Sequence, residues 1–402
     1  MVVAQLLVAR WAGLVTRAWT HWATSGDLTS LRLPSHDAGT GLHGEPLGYA
    51  LRGGRFVFDP FDAYDAAMVS NPNMIVAGSI GVGKSTMVKM LLERALVRGR
   101  KVVVIDPKGE YGALARAHGV RPVVLGRDGW CDPFSSDDRE ACEFVRVLVA
   151  TAQGAPLGAE QHYALSELFK DLSSPRPTRL LRALYDAVES SISTPVASVT
   201  RGLALTLYRF IHGDLAGLFD GDGEPMAFRG DLVVLDLSAQ WSTHSLSIAA
   251  LSAVGAAQQV VGGAESLGYL VLDEAWALLG DDHALRWLQG SWKLARSRGL
   301  SHVLVLHRWS DVGAAGDEGS AQRARALGLL RECETSWLFR QPADEAVVIA
   351  SALGLHAREH QYLVAAPKGV ALVRYGVHRS IVRFMPDARD RDIIDTDVAM
   401  RG

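Results

Sequence analysis

The run Gly78-Ser79-Ile80-Gly81-Val82-Gly83-Lys84-Ser85-Thr86 has the spacing G-x-x-x-x-G-K-[ST]. Glycines at those positions let backbone N–H groups converge on an anion, and a helix beginning near Lys84 points the positive end of its dipole at the same place. This is the chemistry of a phosphate cradle. Lys84 is placed to reach β- and γ-phosphates, and the Ser85 hydroxyl to ligate Mg²⁺. A second grouping, Tyr269-Leu270-Val271-Leu272-Asp273-Glu274, is an apolar strand that ends in two carboxylates. Beside a triphosphate, Asp273 would hold the metal and Glu274 would polarise the attacking water, which favours hydrolysis over transfer to another acceptor. A third, Val102-Val103-Val104-Ile105-Asp106-Pro107-Lys108-Gly109-Glu110-Tyr111, presents charges at the carboxyl end of a strand. Two readings of Asp106 and Glu110 stand side by side: assisting water or metal, or capping the helix through Ala113 to Ala117.

Groups so far apart in sequence meet only if parallel strands bring their carboxyl ends to one edge. From Arg55 onward, short β-branched runs alternate with helical stretches, which predicts an α/β fold: a RecA-like P-loop core with a mostly parallel sheet covered on both faces. Strands are expected at Met74–Ala77, Val102–Ile105, Pro122–Leu125, Leu232–Leu237, Tyr269–Leu272, His302–Leu306 and Ser336–Arg340. Residues 136–218 break the alternation with helical periodicity alone (Phe144, Val147, Leu148; Leu180, Leu181, Leu184, Val188; Leu203, Leu207, Phe210) and predict an all-helical insertion. Val370–Tyr375 and Ser380–Phe384, spaced across Gly376 and Val377, predict a C-terminal β-hairpin. Ahead of the core, Leu7, Val8, Trp11, Val15, Trp19 and Trp22 share one face of an N-terminal amphipathic helix, followed by a linker over 25–53 with room for one hairpin. The domains so drawn are 1–54, helix and linker, and 55–402, the ATPase domain with its insertion.

Composition narrows the alternatives. With 402 residues, 48% of them apolar, the chain can bury a large core. The balance of 41 basic and 44 acidic residues gives a formal charge of -3, so no global field draws in DNA, RNA or anionic lipid. Three cysteines, Cys131, Cys142 and Cys333, show no zinc or disulfide spacing and fit a reducing cytoplasm. No apolar run is long enough to span a membrane, and the start lacks a basic secretory n-region. No N-K-x-D guanine-reading element stands out, which favours ATP over GTP as the cofactor beside Mg²⁺.

Several short motifs in order, Phe58-Asp59-Pro60-Phe61, Asn71-Pro72-Asn73, Asp106-Pro107-Lys108-Gly109-Glu110-Tyr111, Gly213-Asp214-Leu215-Ala216-Gly217-Leu218-Phe219-Asp220, Leu235-Asp236-Leu237-Ser238 and Asp273-Glu274-Ala275-Trp276, resemble the HerA/FtsK superfamily. Within it the pattern is most similar to the motor ATPases of conjugative type IV secretion systems, of the TraC/TraE or VirB kind, over roughly residues 55 to 400. The resemblance implies a homo-oligomeric, usually hexameric, ring at the cytoplasmic base of a secretion channel, with other channel proteins at the inner membrane as partners. DNA as a partner is not indicated by charge. It also implies an arginine supplied across the subunit boundary, for which Arg296 and Arg298 are the candidates; a basic helix end favoured by the dipole accounts for them equally. This chain departs from its relatives where they carry a glutamine that senses the γ-phosphate. His307 follows the corresponding strand, as a donor or acceptor to phosphate or as a loop histidine in solvent, and Gln341 is a further polar contact. Relatives also carry a substantial amino-terminal domain, whereas about 54 residues precede the core in this sequence.

Overall fold

Alternation of side chains along the strands explains why the sheet is covered twice. In β3 (Met74–Ala77), Ile75 and Ala77 enter one apolar core while Met74 and Val76 enter another. The same division holds for Val103 and Ile105 against Val102 and Val104 in β4 (Lys101–Asp106). It recurs for Leu304 and Leu306 against Val303 and Val305 in β8 (Leu300–Leu306). Strands buried on both faces read as continuous β-branched runs and belong in parallel sheets between helices. Each such Val, Leu, Ile or Met side chain contributes roughly 1.5–3 kcal/mol through burial.

The computed structural model describes residues 40–394 except 52–53, 131, 133, 135–136, 173–179, 192–196, 222–224, 226–229, 241–242, 262–266, 295–296 and 311–319. The amphipathic helix expected before residue 25 lies outside the described residues. The sheet order is β2-β1-β11-β10-β9-β3-β8-β7-β4-β6-β5. The strands β5 (Val123–Val124), β6 (Leu232–Asp236), β4, β7 (Gly268–Leu272), β8, β3 and β9 (Thr335–Leu338) run parallel. Beyond β9 the sheet turns antiparallel through the hairpin of β10 (Val370–Tyr375) and β11 (His378–Phe384). A second hairpin, β1 (Gly48–Ala50) with β2 (Arg55–Phe56), then pairs with β11. The core sheet therefore starts before residue 55, and a division at 54 falls inside this hairpin.

Residues between β5 and β6 contain helices Asp138–Gln153, Ala159–Leu172, Leu180–Ser191 and Ala197–Ile211, with no strand among those described. Phe144, Leu148, Leu184, Leu207 and Phe210 of this insertion pack into the same core as Ile75 and Ile105, so it is anchored on one face of the sheet. Helix Lys84–Val97 covers the other face with Met87, Leu91 and Leu92. Asp59 caps helix Pro60–Asp65 by accepting from the Phe61 and Asp62 amides, and Asp62 pairs with Arg98 at the far end of the Lys84 helix. Among the described residues no helix is long and apolar enough to cross a membrane.

The Asn71-Pro72-Asn73 turn sets the register of β3 on β8. Asn73 Oδ1 accepts from the His302 amide at 3.1 Å and from its Nδ1–H at 3.2 Å, and Ser301 Oγ donates to the Pro72 carbonyl at 2.6 Å. His302 is fully buried and stacked on Trp292, and burial pushes its pKa from 6.5 down to about 3. An imidazole kept neutral when folded stabilises the protein above its unfolded pKa and loses that contribution as pH falls below it. Between pH ~7.5 and ~5 this group alone should cost about 2 kcal/mol. Urea unfolding of the wild type and of His302→Gln at both pH values tests this: the variant should lose less stability by about that amount, and equal losses would contradict the assignment.

Candidate active site

The carboxyl ends of the parallel strands share one edge, and β8 lies between the cradle strand β3 and the acidic strand β7. Whatever follows β8 is therefore placed between Lys84 and Glu274. That residue is His307.

The loop after β3 is held by its neighbours. The Gly78 amide donates to Leu306 O at 3.2 Å, the Ser79 amide to Arg340 O at 3.0 Å, and the Gly369 amide to Val82 O at 2.9 Å. Two glycines are required by geometry. A Cβ on Gly78 would lie 2.6 Å from Phe339 Cβ, and Gly83, with φ +105°, caps the following helix in a conformation that side chains disfavour. Ser79, Ser85 and Thr86 are half-buried at the rim, Val82 is buried, Gly81 is exposed and Ile80 is 79% exposed.

Lys84 is only 4% exposed and folds back over its own loop. Its Nζ donates to Gly78 O at 2.6 Å, Ser79 O at 2.9 Å and His307 Nδ1 at 2.9 Å. Burial lowers its pKa to about 8, against the pull of Asp273 and Glu274. Since His307 Nδ1 accepts from an ammonium, its proton sits on Nε2, which donates to Glu274 Oε1 at 2.5 Å. Lys108 Nζ binds the same oxygen and lies 2.8 Å from His307 Nε2. Trp276 Nε1–H donates to Glu274 Oε2. Glu274 adopts φ +55°, rare for a side chain with a Cβ, where β7 turns into the next helix. Burial would raise its pKa, but the hydrogen bonds from His307 and Lys108 outweigh it and hold the carboxyl at about 2. An ionised carboxylate results.

Asp273 behaves in the opposite way. Burial first, then the negative charges of Glu274, Asp106 and Glu110, push its carboxyl up to about 7. Asp106, also raised by burial, accepts from the amides of Tyr111 at 2.9 Å, Glu110 at 3.1 Å and Lys108 at 3.2 Å, so its geometry is that of the cap on the turn. Glu110 sits half-buried on that turn, close enough to raise Asp273. Hard oxygen donors with uncompensated negative charge suit a divalent cation. Among the described residues no group of three or more His, Cys, Asp or Glu is arranged to hold a metal. Mg²⁺ takes one or two protein oxygens and completes its shell with phosphate and water.

Solved structures share this fold. VirB4 of Thermoanaerobacter pseudethanolicus superposes with a TM-score of 0.74 at 20% identity, over 88% of this chain and 100% of that one. The plasmid coupling protein TrwB in complex with the GTP analogue GDPNP superposes at 0.54 and 17% identity, over 93% and 96% of the two chains. TrwB in complex with ADP and Mg²⁺ does so at 0.53 and 16%, over 80% and 87%. The fold is the RecA-like P-loop ATPase fold. The family model described as "Helicase HerA, central domain" matches residues 65–210. This segment is similar to the HerA central domain. No curated protein matches the chain in sequence.

The matched segment contains the cradle and the Asp106 turn, and β7 and β8 lie outside it. Lys84, Glu274 and His307 are brought into direct contact, with Asp273, Asp106 and Glu110 grouped beside them. Gln341, after β9, is 2% exposed, and neither end of its amide has a hydrogen-bond partner among the described residues. Arg298 is not at this edge. It precedes β8, a strand length of about 20 Å from its carboxyl end, and lies 3.7 Å from Glu140. Arg296 lies outside the described residues. Sequence reasoning overlooked Lys108 as a site residue, although its position in a strand-end turn was the available signal.

Proposed function

We propose that this chain is an ATP-hydrolysing motor of a conjugation or type IV secretion apparatus. The observation that carries the proposal is the contact chain Lys84–His307–Glu274 at the carboxyl edge of a sheet whose fold spans all of the VirB4 chain. In this reading the backbone from Gly78 to Thr86 cradles the phosphates, and Ser85 and Asp273 hold Mg²⁺. The cation supplies charge neutralisation on the phosphate oxygens. Lys84 leaves the loop carbonyls and His307 for the β- and γ-phosphates. Glu274, already ionised, accepts a proton from the attacking water. His307 and Gln341 contact the triphosphate, and Glu110 assists water. Adenine is the preferred base.

A ring completes the site. Because Arg298 lies on the opposite edge from its own cradle, any catalytic use of it is to a neighbouring subunit, with Arg296 the other candidate from sequence. A hexamer at the cytoplasmic face of the membrane, docked on other channel proteins, is the assembly proposed. Mass in solution with and without Mg²⁺ and a non-hydrolysable ATP analogue tests it: assembly on nucleotide is expected, and a permanent monomer would count against a ring.

A second reading, a DNA-translocating motor or coupling protein, is favoured by the HerA match and by the likeness to TrwB. The charge of -3 argues against it. We expect ATP turnover to respond weakly or not at all to added DNA at low salt. A strong rise that salt abolishes would establish the DNA motor instead.

A further inference from the structure

We infer that Lys108 is the positioning residue for Glu274, the side chain that keeps its carboxylate aimed when nucleotide occupies the cradle. The inference rests on the proposed role of Glu274 as the group that activates water. Three partners hold Glu274: Trp276 on Oε2, and His307 and Lys108 together on Oε1. His307 is committed on its other side to Lys84, with Nδ1 accepting from the ammonium at 2.9 Å. A triphosphate that draws Lys84 to itself removes that donor, and the imidazole no longer has both nitrogens fixed. The contacts of Lys108 Nζ, to Glu274 Oε1 and to His307 Nε2 at 2.8 Å, both lie within this group, and neither runs through Lys84.

The turn that carries Lys108 is built to stay in place. Asp106 accepts from the amides of Lys108, Glu110 and Tyr111, and Gly109 closes the turn at φ +72°. The Asp106 side chain is fully buried, so the anchor lies in the core rather than in solvent. Only the Lys108 side chain spans the remaining gap, with 27% of it exposed along the rim. A compact ammonium on a flexible stem can follow a carboxylate through a small shift while keeping the charge-assisted hydrogen bond. Its task is to orient Glu274, without touching the reacting atoms.

Steady-state turnover of Mg²⁺-ATP by the full chain, carrying Lys108→Met or Lys108→Arg, is the test, with Mg²⁺-ADP affinity by calorimetry as a check on the fold and the cradle. Lys108→Met should lower kcat by about 10-fold or more while KM and the ADP affinity stay nearly constant, as loss of an orienting contact does. Lys108→Arg should restore part of the rate. Unchanged or raised kcat in Lys108→Met, or a raised KM at constant kcat, would overturn the inference, as would ADP affinity falling along with the rate in both variants. If Glu274→Gln is slow while Lys108→Met is normal, the inference fails and the hydrolysis reading stands. A wild-type chain without turnover would remove that reading and the inference together.

Discussion

Glu274→Gln is expected to bind Mg²⁺-ATP nearly as tightly as the wild type and to hydrolyse it ~10²-fold or more slowly, the range set by loss of a general base. The amide keeps the length of the side chain and an oxygen for one of its donors, so the turn at φ +55° can persist. What disappears is the negative charge that His307 and Lys108 hold at a pKa of about 2. A carboxylate with so low a pKa is a weak base in the nucleotide-free state, so the hold of His307 on Oε1 must loosen before it takes a proton. Phosphate release under single-turnover conditions separates chemistry from binding. Turnover equal to wild type would remove Glu274 from the mechanism.

Lys84→Ala acts one step earlier. Nucleotide affinity should fall by about 10- to 150-fold, the equivalent of the 1.5–3 kcal/mol that a charged hydrogen bond contributes, and turnover should fall to background. The nucleotide-free fold should suffer less, because the loop is also held by the amides of Gly78, Ser79 and Gly369. His307 then loses its partner on Nδ1, so the variant also tests whether Glu274 is oriented through the lysine. Calorimetric titration with an ATP analogue and thermal unfolding, run together, distinguish a lost ligand contact from a lost fold. Affinity like that of the wild type would contradict the cradle assignment.

The features legible in sequence were those written in local pattern. Strand β3 and the hairpin strand β10 match the expected bounds, because apolar runs closed by glycine or charge leave few alternatives. The helical insertion was legible for the same reason, through three periodic segments without a convincing strand; its helix Ala159–Leu172 was not among them. The hairpin of β1 and β2 was less so, since strands of two or three residues are too short for alternation to register. The roles of Asn73 and Lys108 depend on partners remote in sequence. Asn73 binds a histidine 229 residues away and Lys108 reaches one 199 residues away, and no local periodicity encodes such pairings. Arg298 shows the converse. It follows the acidic strand closely in sequence, yet the chain crosses the sheet between them and leaves it on the other edge.

The contact that must change for the site to work is the ammonium of Lys84 on Gly78 O and His307 Nδ1. An experimental structure of the chain with Mg²⁺ and a non-hydrolysable ATP analogue tests this most directly. The account predicts phosphates over Gly81 to Thr86, Lys84 Nζ turned onto them, and Ser85 and Asp273 at the metal with Glu274 facing the γ-phosphate. Nucleotide bound away from that loop, or Lys84 still on its loop carbonyls with a triphosphate in place, would contradict it.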